Sequence, residues 1–126
     1  MNIALLAHDS KKELMIQFCT AYRGILSRHS LFAPTTTGKI VSRAMDKPVA
    51  LFLPCAGGGS QQVGHRIVCG EVDMVLFFCD ASGQANTQDA DYIARLCDRY
   101  TIPIATNIAT AEVLVQGLRY KDMKGY

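Results

Sequence analysis

Five short stretches of this chain are continuously apolar, and between them apolar positions recur at helical spacing. The first, Asn2 to Ala7, ends at the polar pair His8-Asp9. From Lys11 to about His29, residues Leu14, Met15, Phe18, Tyr22, Ile25 and Leu26 share one helical face. A brief strand, Ser30 to Ala33, runs into Pro34-Thr35-Thr36-Thr37-Gly38, and a helix over Lys39 to Met45 turns Ile40, Val41 and Ala44 inward. The third strand, Val49 to Leu53, leads into the turn Pro54-Cys55-Ala56-Gly57-Gly58-Gly59. Ser60 then reads as the N-cap of a short helix that Gly70 stops. Met74 to Cys79 is the most hydrophobic strand and ends at Asp80, before a polar loop from Ala81 to Gln88. A helix over Asp89 to about Tyr100, a strand over Ile102 to Ala105 and a helix over Ala109 to Leu118 complete the pattern. The charged stretch Arg119 to Lys124 reads as a loose, solvated tail.

Strands alternating with helices predict βα units, and so an α/β fold: a five-stranded parallel sheet with helices on both faces. No repeat, low-complexity segment or linker interrupts the pattern, and 126 residues suffice for one domain, 1–126, with its own core.

Composition narrows the function classes. With 49% hydrophobic and 19% charged residues the chain is an ordinary globular protein. A net charge of +2, without clustered Lys and Arg, gives no ground for binding nucleic acid. Five cysteines without a C-x-x-C pair fit neither a disulfide framework nor a zinc site, which points to a reducing compartment. The N-terminus lacks a basic, cleavable leader, and no stretch approaches the roughly 18 apolar residues of a membrane span. A cytoplasmic protein is expected.

In open parallel sheets ligands bind beyond the carboxyl ends of the strands. That edge should gather His8-Asp9, Thr35 to Gly38, Cys55 to Ser60, Asp80 and Thr106-Asn107. Hydroxyls, glycine N–H groups and Lys12 together suit a phosphate, and Asp9 or Asp80 suits a general base. Each residue also has a plainer reading. Asp9 caps a helix, Asp80 binds loop N–H groups, the threonines form a capping turn, and the glycines are a tight connection. Cys55 is either a thiol activated near a helix start or a small loop residue. Lys39 after Gly38 lacks the upstream glycine of a P-loop, and His65 reads as a surface or packing residue.

These residues, taken together, resemble the methylglyoxal synthase family. Ala7-His8-Asp9-Ser10-Lys11-Lys12 is similar to its A-H-D-x-x-K opening, and Thr36-Thr37-Gly38 to the end of A-T-G-T-T-G. Gly58-Gly59-Ser60-Gln61-Gln62-Val63-Gly64 is similar to G-G-D-Q-Q-[IV]-G, and Phe77-Phe78-Cys79-Asp80 to F-F-x-D-P. Ile102 to Glu112 is similar to I-P-V-A-T-N-x-A-T-A-E. The resemblance runs from residue 3 to about 115. It implies an α/β/α sandwich assembled as a homo-oligomer, usually a hexamer. The implied reaction converts dihydroxyacetone phosphate to methylglyoxal and phosphate, through an enediolate and without metal or organic cofactor. It places Asp9, Ser60 and Asp80 at catalytic positions, and His8, Lys12, Thr35, Thr36, Thr37, Cys55 and Gly58 at substrate- or phosphate-binding ones.

The departures fall on the same layer. The family's G-G-D aspartate, its proton-abstracting group, is Ser60 here, and its S-G pair is Pro54-Cys55. The T-G before T-T-G is Pro34-Thr35, and the histidine of P-H-[DE]-P-D is missing from Asn86 to Asp91. A serine hydroxyl is no substitute for a carboxylate base unless it has a base of its own. Asp9 is the candidate to take over proton abstraction. Two alternatives stand beside the family reaction: a homologue acting on another small substrate, and a phospho-metabolite-binding module without chemistry.

Overall fold

All five apolar stretches meet in one sheet of order β3-β2-β1-β4-β5, and every pairing is parallel. The computed structural model describes residues 1–52, 59–82 and 87–124. In chain order the elements are β1 (Asn2–Ala7), a 3-10 turn (Asp9–Lys11), α1 (Lys12–Ala21), α2 (Arg23–Leu26), β2 (Ser30–Pro34) and α3 (Thr35–Met45). Then come β3 (Ala50–Phe52), α4 (Gly59–Val68), β4 (Met74–Phe78), α5 (Gln88–Tyr100), β5 (Ile104–Ala105) and α6 (Ile108–Lys124).

The central strands are apolar from Ile3 to Ala7 and from Met74 to Phe78 because both faces are covered. Along β1, Ile3, Leu5 and Ala7 meet Met15, Phe18, Val41 and Val115 of one helical layer. Ala4 and Leu6 turn to Val63, Ile67, Ile93 and Cys97 of α4 and α5 on the other. The sheet register places Ala7 opposite Phe78, so the residues that follow β1 and β4 emerge side by side.

Several predicted boundaries shift, each for a physical reason. The helix expected over Lys11 to His29 is broken at Tyr22 (φ −104°, ψ 23°), two residues before Gly24, the poorest helix former of the stretch. The third helix starts at Thr35 rather than Lys39. Pro34 takes the extended conformation that precedes a helix, so the three threonines are the first turn rather than a lead-in. The expected loose tail is helical to Lys124, because His29 Nε2 lies 3.1 Å from Asp122 Oδ2 and anchors it. Gly70 does stop α4 as expected: its φ is +75°, with Glu71 N–H donating to Arg66 C=O at 2.9 Å and Gly70 N–H to Ile67 C=O at 3.1 Å.

Candidate active site

From β1 the chain proceeds to β2 on one side, and from β4 it proceeds to β5 on the other. The sheet order reverses between these two strands, and the crevice at such a reversal is where open α/β sheets hold ligands. His8 leaves β1 with its N–H donating to Phe78 C=O at 3.0 Å. Its ring turns edge-on to Phe77, with centroids 5.3 Å apart. The backbone N–H of Asp80 donates to His8 Nδ1 at 2.8 Å. An imidazole that accepts at Nδ1 is neutral and carries its proton on Nε2. That Nε2 is buried and has no hydrogen-bond partner among the described residues.

Asp80 is held by three donors. The Ser82 hydroxyl, the Ser82 N–H at 2.9 Å and the Ser10 hydroxyl at 3.0 Å pull its carboxyl down to about 2, in that order of effect. The reading of Asp80 as a carboxylate that binds loop N–H groups therefore describes its contacts. Asp9 does not cap a helix: it opens the 3-10 turn, and its exposed carboxylate pairs with the Lys12 ammonium. That bond, then the charge of Lys12, lowers its carboxyl below the usual range.

One strand over, Thr35, Thr36 and Thr37 form the first turn of α3, which packs on α1. Pro34 at the cap position offers no side-chain hydrogen bond and no acid sits in the first turn, so the backbone donors of this helix start suit an anion. Thr37 is buried, Thr36 exposed and Thr35 between. Gly38 sits so close to β2 and β3 that a Cβ there would lie 2.4 Å from Leu51 Cδ2 and 3.4 Å from Ala33 Cβ. The glycine lets α3 lie close against β2 and β3.

Ser60 is not the N-cap of α4. The helix begins at Gly59, and the buried Ser60 hydroxyl donates to Asp89 Oδ1 at 2.8 Å. Asp89 lies in the first turn of α5, on the same rim as Asp80. In the sequence Asp89 marks only a helix start, although an acid in the first turn beyond a central strand is itself a signal. The two helices approach closely because Gly64 lacks a side chain: a Cβ would lie 2.6 Å from Tyr92 Oη and 2.9 Å from Leu96 Cδ1. Cys55 and Gly58 lie outside the described residues. Cys19, Cys69, Cys79 and Cys97 are free thiols. No helix among the described residues is long and apolar enough to cross a membrane.

The chain is 49% identical over 124 residues to a methylglyoxal synthase of Caldicellulosiruptor saccharolyticus, spanning 98% of this chain and 88% of that protein. It is likewise 49% identical over 125 residues to a methylglyoxal synthase of Oceanobacillus iheyensis, spanning 98% and 89%. The crystal structure of a methylglyoxal synthase from Elizabethkingia anophelis superposes with a TM-score of 0.83 at 32% identity, covering 90% of this chain and 76% of that one. No family model matches the chain.

The chain belongs to the methylglyoxal synthase family.

The α/β fold with a five-stranded parallel sheet is thus shared with a solved methylglyoxal synthase. At the serine that stands where the methylglyoxal synthase motif has aspartate, the structure supplies a carboxylate from the neighbouring helix, that of Asp89.

Proposed function

We propose that this chain is a lyase that converts dihydroxyacetone phosphate to methylglyoxal and inorganic phosphate. The observation that carries the reading is a juxtaposition. A helix start with three threonines and no acid in its first turn opens one strand away from a crevice lined by a neutral histidine and several carboxylates. The extensive identity to methylglyoxal synthases supports the same conclusion.

In this reading the first turn of α3, through Thr35, Thr36 and Thr37, holds the phosphate with Lys12, which leaves Asp9 to do so. The family resemblance assigns Cys55 and Gly58 to the substrate as well. His8 Nε2–H faces the carbonyl oxygen and stabilises the charge that gathers there. A carboxylate of the rim removes a hydrogen from the hydroxymethyl carbon, and Asp9, Asp80 and the Ser60 position are the candidates from the sequence. The electron pair forms the C=C bond of an enediolate. The hydroxyl proton then leaves, the double bond shifts, and the C–O bond to phosphate breaks with its electron pair on the departing phosphate. The resulting enolate takes a proton on its methylene carbon to become methylglyoxal. Atoms balance without any oxidant or reductant.

Residues 1–126 act as one domain on a small phosphorylated metabolite. The chain works in the cytoplasm as a homo-oligomer, a hexamer by family resemblance; the exposed Val113, Tyr120 and Met123 of α6 supply apolar surface for such contacts. The test is incubation with dihydroxyacetone phosphate, following methylglyoxal and phosphate together. Equal release of both is the expected result. Ser60 at the family's carboxylate position favours one other reading, a binding module without chemistry. Tight binding of phosphoglycolate with no turnover is the result that selects it.

A further inference from the structure

We infer that Asp89, oriented by Ser60, is the carboxylate that takes the carbon-bound proton in this chain; the assignment rests on the lyase reading above. Four carboxylates stand on the rim among the described residues, and one of them, Asp91, is exposed and accepts from the Thr87 hydroxyl. Asp9 points to solvent and is neutralised by Lys12. Asp80 has both oxygens engaged, Oδ1 by Ser82 and Oδ2 by Ser10, and a carboxyl pulled down to about 2 has little appetite for a proton from carbon. Asp89 differs from all three. It is half-buried, and among the described residues Ser60 is its one hydrogen-bond partner, on Oδ1. Its second oxygen is left for the substrate.

The support behind this carboxylate is rigid. Ser60 is 3% exposed, so its hydroxyl has little freedom except to hold Asp89. One turn further along, Gly64 on α4 receives Tyr92 and Leu96 of α5, which fixes the spacing of the two helix starts. A base held in this way meets the geometric demand of proton abstraction, for which a displacement of about 1 Å costs on the order of 100-fold. The first turns of α4 and α5 also favour negative charge, whether on the carboxylate or on the enediolate that replaces it. The C–H bond breaks, its proton passes to Oδ2 of Asp89, and its electron pair enters the enediolate C=C bond. After phosphate departs, Asp89 returns that proton to the methylene carbon of the enolate. Ser60 acts through Asp89 and is a positioning residue.

The test compares wild type with Asp89→Asn, Asp89→Glu, Ser60→Ala, Asp9→Asn and Asp80→Asn. In deuterium oxide, NMR reads exchange of the hydroxymethyl hydrogens of dihydroxyacetone phosphate, alongside methylglyoxal formation. Titration with phosphoglycolate reads the anion site separately. Asp89→Asn is expected to lose exchange and kcat by about 1,000-fold with phosphoglycolate affinity unchanged. Asp89→Glu is expected to lose about 100-fold, and Ser60→Ala about 10-fold in kcat with KM unchanged. Wild-type exchange and turnover in Asp89→Asn, with loss in Asp9→Asn or Asp80→Asn, overturns the assignment and spares the lyase reading. Loss of phosphoglycolate binding in both Asp89 variants makes the residue structural and overturns it too. Exchange in the wild type without methylglyoxal, abolished in Asp89→Asn, sinks the lyase reading and supports Asp89. A wild type that does neither sinks both.

Discussion

The imidazole of His8 accepts the backbone N–H of Asp80 at Nδ1, 2.8 Å away across the junction of β1 and β4. That bond fixes the tautomer, so the proton sits on the buried Nε2, which has no partner among the described residues. A neutral donor aimed at a carbonyl strengthens as that oxygen becomes an oxyanion. His8→Ala is therefore expected to lower kcat/KM for dihydroxyacetone phosphate by about 100-fold or more. It also strands the Asp80 N–H, at a stability cost of about 1–2 kcal/mol. Steady-state kinetics and urea denaturation read the two effects separately. Unchanged kinetics with lowered stability would reduce His8 to a structural pin.

The carboxyl of Asp80 sits at about 2 in the folded protein against 3.8 in the unfolded chain. A group whose folded value is depressed stabilises the fold above its unfolded value and ceases to do so as pH falls through its folded value. Wild type is thus expected to exceed Asp80→Asn in denaturation midpoint at neutral pH. The gap should close between pH 3.8 and about 2. A gap that is constant across this window would mean that the Ser82 and Ser10 bonds are not made to the ionised form.

Gly64 is the contact point of α4 and α5, with Tyr92 and Leu96 occupying the space of its missing side chain. Gly64→Val inserts a stiff, branched group there and is expected to cost about 1–3 kcal/mol. Because the same contact spaces Ser60 from Asp89, kcat should fall with stability. Tyr92→Ala in the same chain vacates that space and should recover part of both losses. A double-mutant cycle in which the two changes are additive would remove the packing link.

What the sequence made legible follows from how far apart the partners are. Five strands were readable because a strand buried on both faces is a continuous apolar run, as in Met74 to Phe78. The rim was readable too, since His8 and Asp80 each end such a run. Local patterns failed where a distant residue decides the outcome. Ser60 has the chemistry of an N-cap, but its hydroxyl goes to Asp89, 29 positions away. Thr35 to Thr37 are weak helix formers, and only the docking of their turn against β2 and β3 through Gly38 makes them the start of α3. The charged C-terminal stretch looks solvated until His29, 93 positions earlier, is placed beside Asp122.

Thr101 ends α5 in the left-handed region, at φ 55° and ψ 45°, with its branched side chain at an unfavourable angle. The turn holds it there because Ile102 N–H donates to Cys97 C=O at 2.8 Å. Thr101→Gly removes the clash and keeps the backbone bond. The expected gain is about 1 kcal/mol, or roughly 4 °C in Tm, with kcat unchanged, since the site lies at the opposite end of the sheet. Thermal unfolding decides it, and a lower Tm would mean that the lost side chain mattered more than the strain.

The last helix offers the remaining prediction. The Met1 ammonium lies 3.1 Å from His29 Nδ1 and can only donate, so the ring proton is on Nε2 and is given to Asp122. His29 is 8% exposed, so water replaces a lost acceptor only poorly. Asp122→Ala is expected to cost about 1–3 kcal/mol, and Asp122→Asn, which keeps an acceptor oxygen, should recover part of it. The effect should also be local. Amide exchange over residues 118–123 is expected to accelerate in Asp122→Ala more than in the strands, because the final turns of α6 are held at that contact. Uniform acceleration throughout the molecule would show instead that the tail and the core unfold together.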